Sequence, residues 1–322
     1  MGGCSLPEQR GHDLALQKGH MEPQKPRLQA SDFDPRILHL FDEYVHGFID
    51  RRGFLDRAAK LAVGGATAAS VLEALSPRFA EAQQIAPTDQ RLQSHLEEIA
   101  SPKGNGKVRG YLVRPKKPAG KLPTVLVVHE NRGLNPHIED VTRRLALEGY
   151  LAWAPDALFT LGGYPGDEDK ARELFQKLDK PRTLEDFVAS AQHLEAHPEG
   201  NGKVGVVGFC YGGGVAHTLA TRLPDLAAAV PFYGLSPAPE LAAQVKAELL
   251  IHLAANDDRV NATFPPYKAA LEAAHVKFEA HTYPGTEHGF HNDTTPRFDP
   301  AAAKLAWTRT LELFGRKLRG HA

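Results

Sequence analysis

The sequence contains little cysteine, with only Cys4 and Cys210 among its 322 residues. A chain of this length builds its own hydrophobic core and does not need a disulfide between these positions, so we interpret both as free thiols. The sequence also has almost no net charge, because 38 basic residues nearly cancel 39 acidic ones. Without a broad positive field, nucleic acid is a poor candidate for a partner.

Long apolar runs are missing as well. The Ala- and Gly-rich run over residues 61–72 is too short for the roughly 20 residues that a helix needs to cross a bilayer, so we expect no stable membrane anchor. With 42% hydrophobic and 24% charged residues, the composition is close to that of an average globular protein. It excludes wholesale disorder, collagen-like repeats and a polytopic membrane protein.

The N-terminal region is predicted to lie outside the main fold. Its first thirty residues are polar and aperiodic, and they cannot fill a core. Asp34 and Pro35 then suit the N-cap and first residue of a helix, and apolar residues follow at helical spacing. We therefore expect residues 1–50 to be a polar extension with one amphipathic helix at about 35–49.

The next segment, residues 51–82, resembles a twin-arginine export signal. Arg51 and Arg52 are followed by the weakly apolar run 61–72, and the small residues of Ala80-Glu81-Ala82 suit a cleavage site. The resemblance implies export by the twin-arginine machinery and a leader rather than a folded unit. The alternative is a helical arm in which the arginine pair occurs by chance.

Cleavage after this signal would leave residues 83–322 as the mature chain, a length that suits one catalytic domain. The protein would then be periplasmic, and it would be cytoplasmic if the leader does not function. The sequence leaves open whether the cleavage occurs and whether translation starts at Met1 or Met21.

The body of the chain alternates strands with helices. Apolar runs predict strands at 108–113, 124–129, 151–154, 204–208, 249–253 and 278–283. Helical periodicity predicts helices at 136–148, 168–178, 183–196, 213–222, 264–274 and 301–317. This alternation indicates a doubly wound, mostly parallel α/β sheet with helices on both faces. In such sheets the loops at the carboxyl ends of the strands carry the chemistry.

One of these loops has the pattern of a nucleophile elbow. The strand at 204–208 runs through Gly208-Phe209-Cys210-Tyr211-Gly212 directly into a helix. The nucleophile of such an elbow sits in a strained turn, and glycines on both sides allow the backbone to pack closely around it. The N-terminus of the following helix would also stabilise the thiolate form of Cys210. The alternative is a buried structural cysteine.

Two later loops supply an acid and a histidine. Asp257 follows the strand at 249–253 and fits the acid position best, with Asp258 as the fallback. His288 follows the last strand between two glycines, whereas His291 is interpreted as a loop residue. Cys210, Asp257 and His288 occur in the order nucleophile, acid, histidine that α/β-hydrolases use.

With these motifs, the sequence resembles the dienelactone hydrolase family over about residues 105–320. The resemblance rests on the elbow, on His129-Glu130-Asn131-Arg132-Gly133, on Asp257 before Val260, and on His288-Gly289-Phe290. It implies an α/β-hydrolase fold and hydrolysis of enol lactones and related esters. It also implies that Glu130 helps to deprotonate the cysteine once the substrate is bound.

The family holds the lactone carboxylate with arginines, one of them four residues after the catalytic histidine. That position is Asn292 here, and the loop 158–164 contains no arginine. The sequence therefore predicts a preference for neutral esters or lactones, with Arg132 as the alternative anchor for a carboxylate. An aromatic wall is predicted from Trp153, Phe159 and Tyr164.

The predicted mechanism is nucleophilic. The Cys210 thiolate attacks the carbonyl, His288 oriented by Asp257 transfers the proton, and the acyl thioester is hydrolysed. The backbone N–H groups of Tyr211 and Asn131 are expected to bind the oxyanion.

No cluster of metal ligands and no phosphate-binding loop occurs in the sequence, so we expect neither a metal nor a cofactor. Two alternatives stay open at this point. One is a general carboxylesterase or thioesterase on the same fold. The other is a non-catalytic periplasmic binding protein that keeps the pocket.

Overall fold

A computed structural model describes residues 27–61 and 67–319. The predicted disorder of the first residues, the choice between Met1 and Met21, and the free thiol of Cys4 lie outside these ranges. Residues 83–319 are called the body below, and the described residues 27–61 and 67–82 are called the arm.

The body contains one eight-stranded sheet with the order β1-β2-β4-β3-β5-β6-β7-β8. Its strands are β1 (Leu92–Ser101), β2 (Gly106–Pro115), β3 (Leu122–Val128), β4 (Leu151–Pro155), β5 (Gly200–Phe209), β6 (Ala228–Phe232), β7 (Glu248–Asn256) and β8 (Phe278–Glu287). The strands β1 and β2 pair antiparallel, β2 pairs antiparallel with β4, and all other neighbours are parallel.

All six predicted strands are present, and β1 and β6 are strands that the sequence patterns missed. β1 is an edge strand whose side chains are mostly exposed, so it lacks an apolar run. β6 reads Ala-Ala-Val-Pro-Phe, which has few residues that favour strands. It is a strand because it is buried between β5 and β7. Pairing with β2 therefore makes β1 a strand, and burial between two neighbours makes β6 one.

Helices flank the sheet and form the arm. They are α1 (Pro35–Val45), α2 (Arg51–Ala58), α3 (Ala68–Leu75), α4 (Phe79–Ala82), α5 (Pro136–Leu147), α6 (Glu168–Gln176), α7 (Lys180–Ala196), α8 (Tyr211–Arg222), α9 (Asp258–Asn261), α10 (Phe264–Ala273) and α11 (Pro300–Leu318). The predicted helices of the body are confirmed. No described helix has the length and apolar character required to cross a membrane.

The core of the body lies on both faces of the sheet. Along β3, Leu126 and Val128 join one apolar layer, and Val125 and Val127 join the other. Successive side chains of a strand point to opposite faces, so a continuous apolar run fits a strand covered on both sides. Cys210 lies where β5 ends, at the carboxyl edge of the parallel strands.

The arm is folded, contrary to the prediction that this region is only a leader. The predicted helix is confirmed as α1, capped by Asp34 with Pro35 at its first position. A small core of the arm forms between α1, α2 and α3, around Phe41 and Phe54. Asp50 caps α2 by accepting a hydrogen bond from the Gly53 N–H. This aspartate departs from the usual flanks of an export signal, and in the structure it acts as a helix cap.

Candidate active site

The elbow holds Cys210 in a strained conformation. Its backbone has φ 55° and ψ −112°, between the end of β5 and the first residue of α8. A Cβ added to Gly208 would lie 1.9 Å from the Gly212 carbonyl oxygen, and one added to Gly212 would lie 2.2 Å from that of Val128. Neither contact is sterically possible, so the turn requires both glycines. The thiol is buried and faces a cavity.

Asp257 and His288 meet beside this thiol. The Nδ1 atom of His288 lies 2.6 Å from Oδ2 of Asp257, and both side chains are buried. Asp257 is held in turn by the Val260 N–H, which donates to Oδ1 at 3.3 Å. Asp258 is exposed, and His291 stacks on Phe209 behind the elbow. The geometry therefore favours Asp257 over the fallback and leaves His291 a packing role.

A second imidazole, which the sequence patterns did not indicate, also contacts the cysteine. His46 follows α1, and its Nε2 atom lies 3.4 Å from Sγ of Cys210. Its Nδ1 atom lies 2.8 Å from the Asp42 carbonyl oxygen and 3.2 Å from the Asp42 carboxylate. The contact spans 164 positions along the chain, and no local sequence pattern can indicate such a pairing.

These groups favour a charged nucleophile. Burial opposes ionisation of Cys210, but the positive charges of His288 and His46 outweigh it and lower the pKa of the thiol to about 6. Burial also opposes protonation of His288. The Cys210 thiolate, Asp42 and the hydrogen bond to Asp257 overcome that effect and raise the pKa of His288 to about 10. A thiolate and an imidazolium therefore coexist near neutral pH.

The two predicted oxyanion donors lie beside the thiol. Tyr211 is the first residue of α8, where a backbone N–H has no partner within the helix. Asn131 follows β3 and lines the same cavity as Cys210. Its side-chain amide donates to the Val45 carbonyl of the arm at 2.7 Å. Both residues line the cavity at Cys210, and their oxyanion role stays a prediction.

Glu130 faces a different set of partners from the one expected. Its carboxylate accepts hydrogen bonds from the Tyr233 hydroxyl at 3.5 Å and from the Asn292 amide at 2.9 Å. The group in contact with the Cys210 thiol is His46. Asn292, which replaces the family's arginine, thus holds Glu130 in place. The deprotonating role of Glu130 stays a prediction.

The cavity at Cys210 has a volume of about 500 Å³, and its walls differ from those predicted. Trp153 is fully buried behind β2, with its indole against Gly110. Phe159 lies under the Arg109 guanidinium, and Tyr164 donates to Glu168. None of the three lines this cavity, and Trp153 belongs to the core of the body.

Arg132 also points elsewhere. Its Nη1 atom donates to the Val45 carbonyl at 3.2 Å, and its Nε atom lies 3.5 Å from a carboxylate oxygen of Glu168. It lines a second cavity, of about 190 Å³, between the arm and the body. Arg132 is therefore an anchor for the arm in this structure and not a group of the cavity at Cys210.

The expectation that this cavity lacks positive charge is wrong. Arg172, Lys180 and Arg259 all line it. In the described part of the chain, neither Lys180 nor Arg259 forms an ion pair with a carboxylate, and Nε of Arg259 is buried without a hydrogen-bond partner. The sequence patterns do not indicate these cations, because they lie on α6, α7 and α9 and not in the loops where the sequence predicts the site.

The donor atoms of His46, Cys210 and His288 converge within 4.8 Å of one another. Such a set can in principle bind a soft metal ion. Here, however, Nη2 of Arg259 lies 2.9 Å from Nε2 of His46, and a guanidinium at that place opposes a second cation. The donor set fits acid–base chemistry at the thiol better than it fits a metal.

Comparison with known proteins agrees with this geometry. The profile of the Dienelactone hydrolase family matches residues 108–318, and a separate YqhI-like profile matches residues 24–61. A Salmonella typhi protein named "Putative carboxymethylenebutenolidase" is 34% identical over 221 residues, which cover 64% of this chain and 82% of that protein. The Escherichia coli protein "Putative hydrolase fragment YghX" is 54% identical over 113 residues, which cover 35% of this chain and 97% of that protein.

Among solved structures, one titled a "Putative Dienelactone Hydrolase" from Klebsiella pneumoniae is 31% identical, with a TM-score of 0.62. The match covers 70% of this chain and 99% of that one. The fold therefore defines the class of the protein, an α/β-hydrolase. Within that class, the chain belongs to the dienelactone hydrolase family and is a hydrolase.

Proposed function

We propose that the protein hydrolyses a lactone or carboxylic ester through an acyl thioester on Cys210. The observation that carries the proposal is the Cys210 thiol at the elbow, with the Asp257–His288 pair beside it. The names of the relatives, carboxymethylenebutenolidase and dienelactone hydrolase, support the same reaction class.

Each of these residues has its own role in the proposed reaction. The Cys210 thiolate attacks the carbonyl carbon, and the N–H groups of Tyr211 and Asn131 stabilise the oxyanion. The carbon–oxygen bond breaks, and the leaving alkoxide takes the proton of the His288 imidazolium. Neutral His288 then accepts a proton from water, the hydroxide attacks the thioester, and the thiolate leaves. Asp257 keeps the His288 ring in the tautomer that both steps need.

The charges in the cavity support a substrate that carries a carboxylate. A buried carboxylate needs a cationic partner, since leaving it unpaired in a dry pocket costs several kcal/mol. Lys180 and Arg259 are the cations without a carboxylate partner among the described residues that line the cavity. This substrate preference replaces the one for neutral esters that the sequence alone suggested.

The nucleophile is tested with two variants and an activated aryl ester. Cys210→Ala should abolish turnover, and Cys210→Ser should keep only a small residual activity because a hydroxyl is harder to deprotonate. Stoichiometric alkylation of Cys210 by iodoacetamide near neutral pH separates an enzyme from a non-catalytic binding protein. Activity of the alanine variant equal to that of the wild type would exclude the mechanism.

The substrate class is tested by comparing a lactone acid with its methyl ester, within a panel of lactones, aryl esters and acyl thioesters. We expect kcat/KM for the acid to exceed that for the methyl ester about tenfold, and Arg259→Gln to lower this ratio. Taking the ratio cancels effects of the variant on the nucleophile that both substrates share. Equal values for the two substrates in the wild type would exclude the preference for a carboxylate, and a higher value for the methyl ester would restore the neutral preference.

Export through residues 51–82 remains part of the proposal as a separate question. Arg51 and Arg52 are exposed, as recognition by the twin-arginine machinery requires. Against export, Phe54 is buried in the arm, and cleavage after Ala82 would remove His46 from the site. Fractionation of cells, with mass spectrometry of the N-terminus, decides between a periplasmic mature chain and an uncleaved cytoplasmic protein.

A further inference from the structure

The thiol of Cys210 lies between two aspartate–histidine pairs that come from different parts of the chain. In the body, Asp257 holds Nδ1 of His288 at 2.6 Å. In the arm, Asp42 holds Nδ1 of His46 through its carbonyl at 2.8 Å and its carboxylate at 3.2 Å. The two imidazole rings are 4.8 Å apart and meet edge to face. Each ring therefore keeps its Nδ1 on an aspartate, and Nε2 of His46 faces both Cys210 and Arg259.

Side chains of the body fix the end of α1 from which His46 projects. The Val45 carbonyl accepts hydrogen bonds from Asn131 at 2.7 Å and from Arg132 at 3.2 Å. The Tyr44 carbonyl accepts one from Arg172 at 2.9 Å. The last carbonyls of a helix lack partners within it, so these bonds satisfy groups that otherwise need water.

The same side chains also belong to the site. Asn131 and Arg172 both line the cavity at Cys210, and Asn131 is the predicted second oxyanion donor. The carboxylate of Asp42 is held by Arg297 at 3.3 Å. The placement of His46 is therefore tied to the residues that shape the active site, and the contact with Cys210 is not an isolated one.

We propose that His46, supplied by the arm, is a catalytic residue that exchanges a proton with Cys210 and keeps the nucleophile ionised. The inference rests on the thiolate mechanism proposed above and adds to it a second imidazole. The active enzyme is then the chain that retains its arm, because the body alone presents one aspartate–histidine pair to the thiol.

The proton balance is simple. With Nδ1–H donating to the Asp42 carbonyl, Nε2 of His46 carries the lone pair that accepts the thiol proton. The S–H bond breaks, an N–H bond forms, and the thiolate keeps the electron pair that attacks the carbonyl. His288 separately gives its proton to the leaving group and recovers one from water. His46 remains a counter-ion when deacylation releases the thiolate again.

The charged groups around His46 determine how readily its imidazole is protonated. Asp42 and the Cys210 thiolate raise the pKa of His46 against the effect of burial, and the nearby positive charge of His288 opposes them. Arg259 donates to Nε2 only while that atom is unprotonated, so it also opposes protonation. When an anionic substrate binds to Arg259, the guanidinium no longer opposes protonation of His46.

The decisive experiment measures the rate of alkylation of Cys210 by iodoacetamide against pH in the full chain. We expect His46→Gln to raise the pKa of the thiol by about one pH unit, which lowers the rate at pH 6 about fivefold. It should also lower kcat/KM at pH 6 about fivefold, through the same loss of thiolate. The matched control is His39→Gln on the same helix, because His39 is exposed and pairs with Glu43. This control should match the wild type.

A second pair of variants covers the case in which His46→Gln fails to fold. Asp42→Asn keeps the imidazole and should produce a smaller shift in the same direction, and added imidazole should partly restore activity to His46→Gly. An unchanged thiol pKa with kcat/KM within twofold of the wild type overturns the proposal. A gain in activity also overturns it, since it would show that His46 blocks the site. Because alkylation needs no substrate, a wrong substrate class does not affect the result.

Discussion

The body and the arm are stabilised in different ways. The body has two apolar layers on opposite faces of a sheet, whereas the arm has one small cluster around Phe41 and Phe54. The arm contacts the body mainly through hydrogen bonds and ion pairs, as between Arg51 and Asp169 at 2.9 Å. An apolar core supports itself, whereas a polar contact depends on exact partners. We infer that the arm can detach while the body stays folded.

The two aspartate–histidine pairs that we propose as catalytic also differ between the body and the arm. Asp257 and His288 are both buried in the body. The side chain of Asp42 is 23% exposed, and that of His46 is 10% exposed. The pair in the body is therefore better shielded from solvent, and its loss should lower activity more than loss of the pair in the arm.

The largest effect is expected for Asp257→Asn. An asparagine keeps the shape of the side chain but favours the wrong tautomer of His288 and removes the balancing charge. At pH 6 we expect kcat to fall about 10⁴-fold, against less than about fivefold for Asp42→Asn in the arm, which shifts the thiol pKa less than His46→Gln does. Steady-state kinetics on the same ester measures both. Equal losses in the two variants would contradict the ranking of the two pairs.

The next effect concerns the stability of the arm. Phe54 is fully buried, and a buried Phe→Ala change typically costs about 3–5 kcal/mol. The small apolar cluster of the arm cannot stay folded after losing this much stabilising free energy. Phe54→Ala should therefore release the arm and leave the body folded. Hydrogen exchange should increase in α1 and α2 and stay unchanged in β3 and β5. Phe187→Ala, in the core of the body, is the matched control and should lower the global Tm.

A third prediction uses the pH dependence of kcat/KM. Below about pH 6 the Cys210 thiol binds a proton and stops acting as a nucleophile. Above about pH 10 the His288 imidazolium loses the proton that the leaving group needs. The profile should be bell-shaped between these values, which belong to the coupled pair. In Phe54→Ala the acid limb should move to higher pH, because detachment of the arm removes His46.

The sequence predicted the body well and the arm poorly, and the reason is the distance between interacting residues. Cys210, Asp257 and His288 each follow a strand, and parallel strands bring their carboxyl ends to one edge. Local patterns are enough to place such residues. His46 reaches Cys210 only because Arg132, Arg172 and Asn131 hold the end of α1, and no local pattern records those contacts.

The sequence predicted the wrong residues for the wall of the cavity, and the reason is related. Trp153, Phe159 and Tyr164 lie near strand ends in the sequence, but none of them lines the cavity at Cys210. The residues that do line the cavity include Arg172 from α6 and Lys180 from α7. Which face a helix turns toward a cavity depends on packing, and helical periodicity alone identified only the apolar faces of these helices.

The smallest effect on stability is expected for the paired change Arg51→Lys and Arg52→Lys, and this variant distinguishes an arm from a leader. The Arg51 side chain is 57% exposed, and its partner Asp169 is 29% exposed, so their ion pair contributes at most about 1 kcal/mol. Lysine also retains the charge. The variant should therefore keep the arm attached, with Tm and kcat/KM close to those of the wild type.

Export responds differently to the same change, because the twin-arginine machinery depends on the arginines themselves. If residues 51–82 act as a leader, the variant should accumulate in the cytoplasm as a folded, uncleaved and active chain, while the wild type is cleaved and periplasmic. Fractionation with an activity assay and N-terminal mass measurement compares the two. If both proteins stay intact in the cytoplasm, the arginine pair has no export role and the arm is a permanent part of the enzyme. If the wild type is cleaved after Ala82 and the periplasmic product keeps full activity, the body alone is sufficient, and the catalytic role of His46 is wrong.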